Sequence, residues 1–201
     1  SKKWHTLTQN YSQMSASKKI NLLVILILIT GFVVRFYNFE NRLIFGHEQA
    51  ISFLTSAGNL EKFSLLGETN LQRATSAGHI PFHGAYYGYL ILPILMVFQF
   101  QVLPITFIFL LFNLLTALYF FKVTSKHFGH LIGLLSLFFF TFSATMIHHS
   151  LFAWILNPLP LLGILSLDLL FRLLKNRRDL ISPLFIGITG TFGFGLQNLY
   201  L

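Results

Sequence analysis

The sequence predicts an all-α polytopic membrane protein, and three observations carry that prediction. Of its 201 residues 54 % are hydrophobic, 24 of them Phe, with a mean hydropathy of +0.68. That is more apolar surface than one soluble domain of this size can bury. Apolar runs recur along the chain at close to the roughly 20 residues needed to cross a bilayer. Charged residues make up only 10 % of the chain, and the basic ones gather where apolar runs end, as Lys and Arg do beside membrane spans. The absence of cysteine excludes a disulfide framework and thiolate chemistry. A formal charge of +8 on a soluble protein would point to nucleic acid. Here it is what basic span ends supply, so membrane lipids and no nucleic acid are the expected partners.

Taken in order, residues 1–19 form a cytoplasmic tail, placed inside by Lys2, Lys3, Lys18 and Lys19. Residues 20–36 form the first transmembrane helix. The run is longer than a secretory h-region and no A-x-A site follows, so it reads as an uncleaved signal anchor. Residues 37–101 form an outer loop with juxtamembrane or re-entrant helices, and 102–201 hold further transmembrane helices, the last one truncated. The candidate spans there are 102–121, 131–147, 159–174 and a fifth from Ile181. The chain begins without Met and stops inside an apolar run, so it reads as the amino-terminal part of something longer.

The stretch 85–100 is short and carries Pro93. If it crossed, Lys122 and Lys126 and the cluster Arg172, Lys175, Arg177 and Arg178 would all fall outside. If it turns back, all fall inside, as basic clusters prefer. The expectation is that it does not cross, in a multi-pass protein of a plasma membrane, the bacterial inner membrane, with a cytoplasmic N-terminus.

Polar chemistry then concentrates on the outer face. Four of the six acidic residues, Glu40, Glu48, Glu61 and Glu68, lie in the first loop, with His47, His79 and His83. From His47 the spacing of Ile51, Leu54, Leu60 and Phe63 predicts an amphipathic helix flat in the interface, broken into two pieces at Gly58-Asn59. Glu48 stands in its first turn, where the helix dipole favours a carboxylate. Such a group can be a general base, a metal ligand, or a solvated helix-start residue. His79 and His83 are separated by Pro81, against the helix a zinc pair needs, and Ile51 stands where an HExxH motif would repeat its histidine. Tyr86, Tyr87 and Tyr89 fit an aromatic belt. In the second outer loop, 148–157, Asn157-Pro158 breaks the helix and Trp154 anchors the interface. Asp168 is about one turn from Arg172, a pairing distance at the inner end.

The ordered series "VVRFYNF", "FGHEQA", Leu65-Leu66-Gly67, "HGAYYGYL", "KHFG", "WILNP" and "GITGTFGFGLQ" resembles the amino-terminal part of bacterial GT-C fold membrane glycosyltransferases. The likeness is to the glycosyltransferase family 39-like group, with aminoarabinose and protein mannosyl transferases as distant members. The resemblance implies a GT-C-type helical bundle. It also implies transfer of a hexose or pentose from a polyprenyl-phosphate-linked sugar to a glycan, lipid or protein acceptor at the outer face. By position Glu48 is the catalytic carboxylate, where the family usually has Asp. Ala85 replaces the family's proline, and His148 and His149 stand near where an Arg is often found. The implied reaction is an inverting displacement at the anomeric carbon. Arg42, His47, Arg73, His79, His83, Tyr86, Tyr87 and Asn157 are the substrate-binding candidates. A divalent cation, Mg or Mn, is the cofactor the resemblance leaves room for, with Glu48 and His47 as ligands.

A different class competes: a polytopic membrane protein, non-catalytic or transporting a lipid or solute. It predicts ionisable residues within spans, and Asp168 is the one this reading has to offer.

Overall fold

A computed structural model describes residues 2–64, 66–69, 82–175 and 181–197. In chain order the elements are α1 (Lys2–Phe36), α2 (Phe39–Arg42), α3 (His47–Glu61), β1 (Leu66–Thr69), β2 (Phe82–Gly84), α4 (Tyr86–Val97), α5 (Val102–Phe128), α6 (His130–Phe142), α7 (Ala144–His149), α8 (Leu159–Lys175) and α9 (Ile181–Gln197). The expected helical architecture is present. A small antiparallel ribbon of β1 and β2, which no sequence pattern announced, pairs Leu66 with Gly84 and Thr69 with Phe82.

Two helices among the described residues, Ser17–Phe36 within α1 and all of α5, are long and apolar enough to cross a membrane. α1 is helical from Lys2, so the expected tail and first span are one continuous element. Where the sequence suggested a single span over 131–147, there are two helices with Ser143 extended between them (φ −61°, ψ 128°). α6 has 13 residues and rises only about 20 Å, short of the ~30 Å hydrocarbon layer. No Gly or Pro marks that break. α4 is shorter still, at 12 residues, or about 18 Å.

Packing fixes the directions. Val24 on α1, Ala117 on α5 and Leu137 on α6 share one buried cluster, with Ile20 and Phe121 against it. A second cluster joins Phe39, Leu110, Leu114 and Leu151, with Phe32 against it. α1 therefore runs antiparallel to α5 and parallel to α6. Its carboxyl end, the second loop and the first half of α5 meet at one end of the bundle. Lys18 and Lys19 lie at the other end with Lys122 and Lys126.

The helices touch where side chains are small. A Cβ on Gly31 would overlap Thr141 Cγ2 across the α1–α6 contact, and one on Gly133 would overlap Ser125 Oγ between α5 and α6. Small residues at such crossings let backbones approach closely, a feature also common between membrane helices.

α4 and α5 form a hairpin at the first end. Gln99 (φ 50°) and Phe100 (φ 60°) reverse the chain between them, and Tyr87, Ile91 and Leu95 pack on Ile105 and Phe109. α4 thus lies along the opening turns of α5.

Candidate functional site

The site is built at the end of the molecule where α1 stops. Arg42 closes that end, its Nη1 donating to the carbonyls of Val34 (2.7 Å) and Tyr37 (3.2 Å). Both belong to the last turn of α1 or just beyond, where carbonyls lack helical partners. The segment between α2 and α3 then meets the second loop, for Ile44 N donates to Leu151 O at 3.1 Å. Two loops separated by a hundred residues of sequence are held together there. Phe45 extends the joint by meeting Phe53 edge-on at 5.7 Å.

α3 starts immediately after. Gly46 is extended (φ −114°, ψ −174°), and its N–H donates to Gln49 Oε1 at 2.7 Å, the return half of a capping box. This explains the neighbours of Glu48: Gln49 is buried as the cap, while His47 and Glu48 are exposed on the first turn. The break expected at Gly58-Asn59 does not occur, and α3 is continuous over 15 residues. Gly58 costs about 1 kcal/mol in a helix interior, which the packing of Ser52, Phe53 and Ser56 on the buried face offsets. Asn59 is held by the same packing, its Nδ2 lying 3.1 Å from where a Cβ on Gly88 would be.

Between α3, α4 and the ribbon lies a small recess of about 10 Å³, lined by Ser52, Thr55, Asn59, Gly67, Tyr87 and Ile155 among others. That is room for about one water or hydroxyl. Asn59 Nδ2 is buried there without a hydrogen-bond partner, so the recess offers a donor. Tyr89 closes the seam, donating to Ser64 O (2.9 Å) and accepting from Ser64 N (3.1 Å).

The second loop supplies an aromatic group. The ring of Phe152 lies 5.2 Å from His148, 5.5 Å from His149 and 5.5 Å from Trp154. Burial, and then the neighbouring His148, hold the His149 imidazole below its usual pKa. Asn157 Nδ2 clasps this loop by donating to Phe152 O (2.9 Å) and His149 O (3.2 Å).

The sequence candidates therefore divide. The Ile44–Leu151 bond brings the loop leading to Glu48 and His47 beside the loop that Asn157 braces. Tyr87, 2 % exposed, lines the recess and packs on Phe109. Tyr86 is exposed and 5.5 Å from Phe192. His83 lies in β2, and Arg73 and His79 lie outside the described residues. Arg42 and Asn157 hold backbone carbonyls. Glu48 and His47 are successive on one helical turn, so their side chains diverge and do not converge on one ion. Among the described residues no three His, Asp or Glu side chains form a metal-holding group.

Two polar groups have partners that the sequence reading missed. Arg35, 0 % exposed, donates from Nη1 to Gly31 O (3.1 Å) and Thr141 O (2.8 Å) and from Nη2 to Asn113 Oδ1 (3.0 Å). An Arg inside an apolar run is itself a signal. Asp168 has the expected Arg172 partner and also Lys126 and His127 on α5, which no local spacing reveals.

No family model matches the chain, and no curated protein or solved structure matches it either.

Proposed function

We propose that the chain is the membrane core of a GT-C-type glycosyltransferase that takes a sugar from a polyprenyl-phosphate donor at the outer face of a bacterial inner membrane. One observation carries the proposal: the Ile44–Leu151 joint gathers the exposed Glu48 turn, the second loop and the polar recess at one end of the bundle. Lys122 and Lys126 lie at the opposite end. The ordered motifs support the same assignment. With the basic end inside, the N-terminus is cytoplasmic, the chain is multi-pass and the α4–α5 hairpin turns back at the outer surface.

In the reaction, Glu48 takes the proton of the acceptor hydroxyl as that oxygen bonds to the anomeric carbon. The bond from that carbon to the phosphate oxygen breaks with inversion, and the polyprenyl phosphate leaves with the electron pair. Arg73, His79 and His83, with whatever donors Arg42 has beyond its Nη1, are the cations offered to that phosphate. Asn59 and Thr55 offer hydrogen bonds to a sugar or acceptor hydroxyl, and Tyr86 an exposed ring. A divalent cation, Mg or Mn, would neutralise phosphate charge, but the divergence of His47 and Glu48 gives it no paired ligands. The acceptor is a glycan, lipid or protein hydroxyl.

The test is transfer by the full-length protein in membranes, given a polyprenyl-phosphate sugar or a nucleotide sugar. Turnover of the lipid-linked donor alone is expected. Transfer from the nucleotide sugar without a lipid intermediate overturns the proposal.

Buried Arg35 favours a second reading, a protein that moves a lipid or solute without transferring a sugar, because ionisable groups inside spans mark such pathways. Movement of the lipid across the bilayer with no glycosyl product would select it.

A further inference from the structure

At the end of the bundle remote from Glu48, α5 and α8 close on Asp168, which is 3 % exposed. Its Oδ1 accepts from Lys126 Nζ at 2.9 Å and lies 2.8 Å from His127 Nε2, and its Oδ2 accepts from Arg172 Nη2 at 2.5 Å. The His127 ring is packed on Phe171 at 4.6 Å. The acid is enclosed, yet the Lys126 and Arg172 side chains are 50 % and 53 % exposed. A buried carboxylate that binds two cations from different helices holds them at a set spacing. Among the described residues, α5 and α8 carry four Lys and Arg residues (Lys122, Lys126, Arg172 and Lys175) and a single acid. Exposed apolar side chains lie on the same helices: Phe128 on α5, and Leu167, Leu170 and Leu174 on α8.

We propose that this α5–α8 end binds the phosphodiester headgroup of an anionic membrane phospholipid, with Lys126 and Arg172 as the phosphate clamp and Asp168 as the buried group that positions them. Paired cations suit the phosphate oxygens, and basic pockets between helices at the inner face of a membrane recognise such headgroups. The apolar side chains on the two helices select a lipid over free phosphate, because they suit acyl chains.

The experiment uses full-length protein purified in neutral detergent. Retention of phosphatidylglycerol against phosphatidylcholine is read by native mass spectrometry, with inorganic phosphate as competitor and the melting temperature as a check on folding. Lys126→Gln and Arg172→Gln should each weaken phosphatidylglycerol retention about fivefold, and the charge-matched Lys19→Gln less than about twofold. The deciding variant is Asp168→Asn. It raises the net positive charge, so a diffuse attraction would strengthen binding, whereas loss of the positioning group weakens it. Asp168→Glu should restore part of the retention. Equal or tighter retention by a folded Asp168→Asn protein overturns the proposal. Displacement of the lipid by inorganic phosphate at equal concentration overturns the lipid assignment. If Asp168→Asn does not fold, Lys126→Gln decides: undiminished retention overturns the clamp, and loss with Lys19→Gln unaffected supports it.

Discussion

At the scale of single residues, Glu48 and Gln49 are neighbours with separate work. Glu48 is exposed and Gln49 is buried on the Gly46 N–H. Glu48→Gln should lower transfer by roughly 100-fold or more if Glu48 is the general base, with protein abundance unchanged. Glu61→Gln, with the same charge at the far end of α3, should alter the rate little. Equal rates for the two variants at normal abundance would reduce Glu48 to a helix-start residue. His149 gives a pH prediction. Its folded pKa is depressed, so the unfolded chain binds the proton more readily, and stability is lost as pH falls below about 6.5. Thermal unfolding followed from pH 8 to 5 should show that loss, and His149→Gln should flatten it. Glu48 was legible in the sequence as an isolated charge after an apolar run. Arg35 was visible but its partner Thr141 was not, because 106 residues separate them and no periodicity links such positions.

At the scale of elements, glycine shows how much context decides. Gly31 and Gly58 both sit inside helices, but a Cβ at Gly31 would overlap Thr141 and one at Gly58 meets nothing within 4 Å. Gly58→Ala should therefore raise stability by up to about 1 kcal/mol through helix propensity. Gly31→Ala should lower it, since α1 would be pushed from α6. A melting-temperature comparison in detergent checks both signs. The sequence suggested a break at Gly58-Asn59 where α3 continues, and continuity at Ser143 where the helix ends. Propensity was readable in both cases, but tertiary contacts outweighed it: α3 is held by its seam with α4, and the end of α6 by the guanidinium of Arg35. The ribbon was illegible for a related reason, since its strands, of 4 and 3 residues, are too short to carry a period.

At the scale of the whole molecule, basic residues gather towards one end of the bundle. Lys18, Lys19, Lys122, Lys126, Arg172 and Lys175 lie there with Asp168, while Glu40, Arg42 and Glu48 lie at the other end with the joined loops. A cysteine placed at Lys122 should be shielded from an impermeant thiol reagent added outside intact cells, and one at Glu61 labelled. Labelling at Lys122 would reverse the proposed orientation. This polarity was the most legible feature of the sequence, because basic flanks are local and additive. How the outer loops meet was not, because a main-chain hydrogen bond such as Ile44–Leu151 leaves no trace in side-chain identity.

The early end of α6 bears on the order in which the protein is built. On the proposed membrane reading, a helix of 13 residues that stops within the apolar layer leaves its last carbonyls with no water to bond, and Arg35 meets Thr141 O there. Arg35 is synthesised about a hundred residues before Thr141, the acceptor it meets on α6. Its other side-chain partner, Asn113, is also synthesised before α6. Chains beginning after Phe36, even if α5 and α6 are intact, should insert α6 poorly and be degraded early. Supplying α1 as a separate peptide should rescue them, and an Arg35→Ala version of that peptide should not.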